Sequence, residues 1–321
     1  APQLADFHIV LDIPALIIIT LVTMLVYRGI RESRNASNVM VAIKLIVVLL
    51  VIAVGVFYVN TENWNPFLPN GISGVLKGVS AVFFAYIGFD AVSTAAQEAR
   101  NPRRDMPIAI LGSLFVCTLL YCLFAYVLTG LAKYTEFSGL SGLAPVAIAI
   151  EKTPYKFFTI LVEFAILAGF SSVIMILLLG QSRVFYAMSK DGLLPKVFSE
   201  LHATFQTPWK SNAVLGVFVG LFAGLVPGNI IGEMTSIGTL LAFVIVCVAI
   251  PVLRRTMPEA QRSFRVPLVP WLPIAGALAC LGIMASLPLD TWIRLIVWLI
   301  LGSIIYFCYS RFHSRLADHS E

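Results

Sequence analysis

The sequence predicts an all-α integral membrane protein with nine transmembrane helices, and three observations carry that expectation. Hydrophobic residues make up 59% of the 321 positions and charged residues only 12%, about half the charged share of a soluble domain. Nine apolar runs, at 9–27, 38–59, 78–94, 107–130, 155–185, 212–226, 232–253, 270–287 and 291–309, read as crossings of a hydrocarbon core ~30 Å thick. The loops between them alternate in charge. Arg28, Arg31 and Arg34 lie in the first, Arg100, Arg103 and Arg104 in the third, and Lys190, Lys196 and Lys210 in the fifth. Arg254, Arg255, Arg262 and Arg265 lie in the seventh, and Arg311 and Arg315 in the tail. By the positive-inside rule the odd loops and the C-terminus are cytoplasmic. The net charge of +5 is then a topology signal, and no nucleic-acid partner follows from it.

Nine crossings with the C-terminus inside put the N-terminus outside. The chain opens APQLADFH, without a start methionine, a basic n-region or a signal peptide. The expectation is a fragment with further spans upstream, a processed N-terminus being the alternative.

The first run carries Pro14 near its start, where proline is tolerated. It ends at YRGIRES, which reads as a short basic turn before a second helix that starts over 35–38. Runs one and two therefore form a helical hairpin. Lys44 lies about 9 Å into the second run at ~1.5 Å per residue. Two readings stay open there: snorkelling to the cytoplasmic interface, or an ammonium pointing into the bundle as a coupling cation. After an irregular outside loop, NTENWNPFLPNG, comes the stretch 78–101, GVSAVFFAYIGFDAVSTAAQEARN. Its Gly88, Asp90, Ser93 and Thr94 are costly in lipid, so the helix is expected to break near its middle and build a binding site. At its exit Glu98 and Asp105 can pair with Arg100, Arg103 and Arg104, as interface anchors or as a cytoplasmic gate.

The fourth run holds Thr118, Tyr121 and Tyr126 and no ionisable group. The apolar LAPVAIAI that follows is too short to span and is expected as a short outer helix or re-entrant cap. In the fifth run, Ser171 and Ser172 beside Gly169 either bond back to the helix or line a close contact or ion site. Glu163 also interrupts that run. Ser236 and Thr239 of the seventh run are candidate pore-facing hydroxyls. The last two runs have aromatic ends and little interior polarity, and are expected to be peripheral. Cys117, Cys122, Cys247, Cys280 and Cys308 fall inside runs, and His8, His202, His313 and His319 in loops or tails. No metal spacing or cofactor is expected, and no nucleophile, base and orienter share a depth, so the chain is not read as an enzyme.

Runs one and two are a hairpin with its loop inside, and runs six and seven one with its loop outside. An offset of five makes any five-span repeat inverted, which is the signature of one class of secondary transporter. The expected division is a single membrane domain: 1–59 ends a first repeat, 60–253 is a second with a broken helix near 84–88, and 254–321 adds two helices and a cytoplasmic tail.

Three stretches, FFAYIGFDAVSTAAQEARNPRRDMP, GQSRVFYAMSKDGLLPK and SIGTLLAF, with RGIRES and NVMVAIKL in support, resemble bacterial members of the cationic amino-acid transporter branch of the amino acid, polyamine and organocation (APC) superfamily. The resemblance covers essentially the whole chain. It implies a partial leucine-transporter-like (LeuT) fold of twelve spans, of which this chain holds spans 4 to 12. It also implies that carbonyls at the break, on Phe84, Ala85 and Ile87 beside Gly88, hold a substrate ammonium. Lys44 matches the lysine that stands where sodium sits in sodium-coupled relatives, with Ser171 and Ser172 facing it, and so implies proton coupling. Asp90 is a second candidate proton carrier, with a structural hydrogen bond to the broken backbone as its alternative. The implied function is a secondary active amino-acid transporter in the cell membrane, whose partners are an amino acid, protons and the lipid bilayer. An exchanger or facilitator, and a non-transporting fragment that binds a small membrane-protein partner, are the alternatives. No acidic residue is clearly placed to meet a cationic side chain, so a broad or small neutral substrate range is expected.

Overall fold

The computed structural model describes residues 13–28, 30–94, 101–137, 145–154, 157–205, 207–226, 228–259, 262 and 264–315. Among them all regular structure is helical. The long helices are α1 (Ile13–Arg28), α2 (Ile30–Gly55), α3 (Gly71–Tyr86), α5 (Pro102–Leu131), α7 (Phe157–Lys190), α8 (Trp209–Leu225), α9 (Gly228–Thr256), α10 (Trp271–Ala285) and α11 (Leu289–Ile305). Three short ones, α4 (Ala91–Thr94), α6 (Pro145–Glu151) and α12 (Arg311–His313), complete the α-helices among the described residues.

Among the described residues, six stretches are long and apolar enough to cross a membrane: Asn35–Tyr58, Gly71–Ser93, Pro102–Leu131, Thr159–Lys190, Ile230–Thr256 and Leu289–His313. The chain is a multi-pass membrane protein. At the other three expected positions stand shorter apolar helices, Ile13–Tyr27, Trp209–Leu225 and Trp271–Ala285.

Several starts differ from expectation, and α3 begins at Gly71, seven residues before the expected 78. The RGIRES stretch is helical from Ile30 onward, because Arg and Glu are good helix formers. Lys44 is the fifteenth residue of α2, about 21 Å along the axis from its first. α5 begins at Pro102, five residues before the expected start, with Asn101 at the N-cap position and proline at N1, where its missing N–H is not needed.

Packing divides the helices into two groups. In the first, α1 lies chiefly on α8, α2 chiefly on α7, and α5 and α6 close over α2 and α7. The sequence neighbours α1 and α2 are therefore each packed mainly on a later helix. Met175 and Leu178 of α7 are buried against Val22 and Val26 of α1 and Leu215 of α8. Val47 and Val51 of α2 meet Val162 and Ala165 of α7. Gly169 makes this approach possible: a Cβ there would lie 3.1 Å from Cδ of Lys44, a small-residue contact of the kind that lets membrane helices close up. In the second group, α9 is flanked by α10, α11 and α3, around Ile237, Leu240, Met284 and Leu295. The short α6 packs on α7 and α5 through buried Ile148, Ala149 and Ile150, as an apolar cap too short to span.

The stretch GQSRVFYAMSKDGLLPK ends α7 with a left-handed Gly192 (φ 81°). Ser189 Oγ then donates to the Pro195 carbonyl at 2.8 Å, and Ser310 Oγ donates to that of Leu193 at 2.7 Å. This motif ties the end of α7 to the C-terminal end of the last helix.

Candidate functional site

The site is built on the interruption between α3 and α4. α3 stops at Tyr86, Ile87 turns extended (φ −60°, ψ 132°), and Gly88 takes φ 115°, a conformation that side-chain-bearing residues rarely adopt. The chain becomes helical again at Ala91. The interruption therefore spans 87–90 and lies slightly beyond the expected 84–88, because Gly88 alone in this stretch supplies the backbone freedom while Phe84 and Ala85 still belong to the last turn of α3. The Phe84 carbonyl accepts the Ile87 N–H at 3.2 Å. The Ala85 carbonyl accepts the hydroxyl of Tyr121, from α5, at 2.9 Å. A second hydroxyl pair, Tyr86 to Thr118 at 3.2 Å, and an edge-on contact of the Tyr86 and Tyr121 rings at 5.1 Å fasten the same edge. The carbonyl of Ile87 accepts no hydrogen bond among the described residues.

The two halves belong to different packing groups. α3 lies against α9 and α10, whereas α4 lies against α7 and α5. A cavity of about 410 Å³ opens at the crossing, lined by Ala85, Ile87 and Gly88 of the break, by Tyr121, and by Lys44 of α2. The Lys44 side chain is half-buried and has no hydrogen-bond or ion-pair partner among the described residues. It also forms one end of a second cavity, about 270 Å³, that runs between α2 and α7 along Val47, Val51 and Val162 to Val146 of α6. Lys44 thus lines both cavities.

Residues 10–307 match the amino acid permease family. The chain belongs to that family. It is 41% identical over 307 residues to the methylthioribose transporter of Bacillus subtilis, an alignment covering 96% of this chain and 66% of that protein. It is 40% identical to the branched-chain amino acid permease BcaP of the same organism, over 95% of this chain and 65% of the relative. Cationic amino acid transporter 9, chloroplastic, of Arabidopsis thaliana is 39% identical over 79% of this chain and 44% of its own length. The chain spans about two thirds of the bacterial relatives' length. Permease-family membership agrees with the APC resemblance carried by the sequence motifs.

Within this permease-family frame the other expected site residues are scattered. The Phe84 ring points to α9, where a Cβ on Gly232 would meet it at 3.9 Å, so it does not line the cavity. Ser171 Oγ donates to the Leu167 carbonyl at 2.8 Å, and the buried Ser172 Oγ to that of Gly169 at 2.7 Å. Both hydroxyls donate to their own helix, with their oxygens left as acceptors. Asp90 is exposed and lies off the cavity; its main-chain carbonyl accepts the Ser93 N–H and hydroxyl at 2.9 and 2.6 Å, which starts α4. Arg103 and Arg104 are exposed on the first turn of α5, and Asp105 accepts the Asn101 N–H at 3.3 Å. Glu98 and Arg100 lie outside the described residues. Thr239 donates back to the Thr235 carbonyl at 2.8 Å.

Two features escaped sequence reasoning. Tyr121 stands one turn beyond Thr118 in a run without Asp, Glu, Lys or Arg, and the i, i+3 spacing was the available signal that both hydroxyls share a face. Glu233 of α9 is the other. It accepts from Thr291 Oγ1 at 2.8 Å and from Arg294 at 3.2 Å, joining α9 to α11. The last helix therefore carries interior polarity that its apolar ends conceal. Glu233 and Arg294 each lie six residues into their helices, a matched depth that could have suggested the pair.

Proposed function

We propose that the protein is a secondary active amino-acid transporter, coupled to protons and working by alternating access. In this reading it crosses the cell membrane nine times, with the C-terminus in the cytoplasm, in a leucine-transporter-like arrangement whose second inverted repeat (60–253) begins with the broken helix. The single observation that carries the reading is the cavity shared by Lys44 and the break. Backbone carbonyls released by a helix interruption are strong acceptors in a poorly solvated place, and an α-ammonium group supplies three donors. The Ile87 carbonyl meets it directly, and the Ala85 carbonyl after Tyr121 lets go. Lys44, unpaired beside them, takes up and releases the coupling proton, while Arg103 and Arg104 mark the cytoplasmic gate.

The substrate class follows from the rest of the lining. Val41, Val173, Ile176 and Leu177 are aliphatic, and neither Asp90 nor Glu163 lines the cavity. A neutral, aliphatic amino acid fits better than a cationic one. The branched-chain permease at 40% identity supports this. The methylthioribose transporter at 41% favours a second reading, an uncharged thioether-containing cargo, at almost the same distance.

The test is uptake by the protein reconstituted in liposomes with an acidic exterior. Leucine, valine, isoleucine and alanine are expected to accumulate above equilibrium and to lose that accumulation with a protonophore. Equilibration without accumulation would replace symport with exchange or facilitated passage. Binding of methylthioribose with no amino acid bound would overturn the substrate assignment.

A further inference from the structure

Between α9 and α10, at the end of the molecule where α9 stops, lies a third cavity of about 460 Å³. Buried Pro273 and Ala277 form its floor, and Val252, Ile274 and Leu278 its walls. The wall residues are 50%, 44% and 63% exposed, so the groove opens sideways, toward the surroundings of the helices. Arg255 stands at its mouth.

The arginines of residues 254–265, the stretch that contains Arg255, are of two kinds. Arg254 donates to the Val266 carbonyl at 2.6 Å. Arg262 donates to the carbonyls of Pro258, Leu253 and Met257 at 3.0, 3.1 and 2.6 Å. Both guanidiniums close the end of α9 and its loop. Arg255 and Arg265 are exposed, and neither has a hydrogen-bond or ion-pair partner among the described residues. Against these four arginines residues 254–265 contain one carboxylate, Glu259. The crevice between α9 and α11, about 280 Å³, makes the contrast. It too has an arginine on its wall, but Arg294 is neutralised by Glu233 at 3.2 Å.

An apolar groove open to the bilayer, with uncompensated positive charge at its interfacial end, matches a molecule that joins acyl chains to an anionic head. We propose that this groove is a binding site for an anionic phospholipid, with an acyl chain along Val252, Ile274 and Leu278 and the phosphate on Arg255 and Arg265. Arg suits this role because its planar donors grip phosphate oxygens in pairs. The site is separate from the cavity at the break and does not depend on what that cavity carries.

The test is native mass spectrometry of the full chain in a neutral detergent, with phosphatidylglycerol, phosphatidylcholine and inorganic phosphate offered separately. Phosphatidylglycerol is expected to be retained in preference to phosphatidylcholine. Arg255→Gln and Arg265→Gln should each weaken that retention by about fivefold and the double variant by roughly thirtyfold, while Arg255→Lys, which keeps the charge, retains most of it. Leu278→Trp fills the groove without altering charge and should weaken both lipids. Equal retention of the two lipids, or an undiminished preference in the double variant, would overturn the proposal. So would inorganic phosphate binding as well as the lipid, or a second copy of the chain occupying the groove in place of lipid.

Discussion

Lys44 and Arg294 are both cations set inside apolar helices, yet their surroundings differ in kind. Arg294 is met by Glu233, which also accepts from a fully buried Thr291. Lys44 has no such partner among the described residues and looks into two cavities. A satisfied pair is explained by joining two helices, whereas an unpartnered cation beside two cavities has no such structural account. The comparison teaches that depth alone does not mark a functional charge. The state of its partners does.

The strongest test of that contrast is Lys44→Ala. Uptake driven by a pH gradient is expected to fall more than about tenfold, in line with loss of a proton-transfer group, while equilibrium binding of the substrate changes far less. Wild-type accumulation by the variant would remove Lys44 from the coupling step. On the other side, Glu233→Ala should leave coupling intact and lower stability by roughly 1.5–3 kcal/mol, the range for hydrogen bonds to charged groups. Thermal unfolding in detergent measures it, and Arg294→Ala in the same chain should recover part of the loss by removing the orphaned charge. If Glu233→Ala unfolds no earlier than the parent, the pair is not structural.

Tyr121→Phe sharpens the comparison on the Lys44 side. It frees the Ala85 carbonyl, and if the hydroxyl competes with the substrate ammonium, apparent affinity should rise about two- to tenfold, the worth of one net hydrogen bond. An affinity that falls would instead make the hydroxyl a substrate contact.

The smallest effect belongs to a pair that is satisfied but exposed. Glu136 and Lys152 meet at 2.6 Å beside α6. The Lys152 ammonium, aided by the Lys133 N–H, lowers the Glu136 carboxyl below its ordinary 4.5. A lowered carboxyl stabilises the fold above that ordinary value and ceases to as pH falls through the lowered one. Hydrogen exchange in α6 is therefore expected to quicken slightly below pH 4.5 in the parent and to show no such step in Glu136→Gln. A step of equal size in both would assign it to another group.

Much of the fold was legible because lipid imposes a one-sided rule: apolar runs must be helices, and Gly88 among polar residues had to mark irregular backbone. Lys44 was legible for the same reason, as a lone charge. What was hidden depended on which partner each polar group takes. The Ser171 and Ser172 hydroxyls are absorbed by carbonyls three and four residues back, which no pattern distinguishes from a free pair. The Tyr121 hydroxyl reaches across 36 residues to Ala85, and Glu233 across 61 to Arg294. Helix ends were misplaced at Ile30 and Pro102 because charged residues propagate a helix as readily as apolar ones.

The interruption at 87–90 has a mechanical consequence. Sixteen residues of α3 form a rigid arm about 24 Å long, and its pivot is the one residue there in a glycine conformation. A turn of about 10° at Gly88 would carry the far end near Gly71 through about 4 Å by simple leverage on that length. A few degrees of torsion, spread over four residues, thus become a displacement comparable to the width of a water layer at the opposite end of the helix.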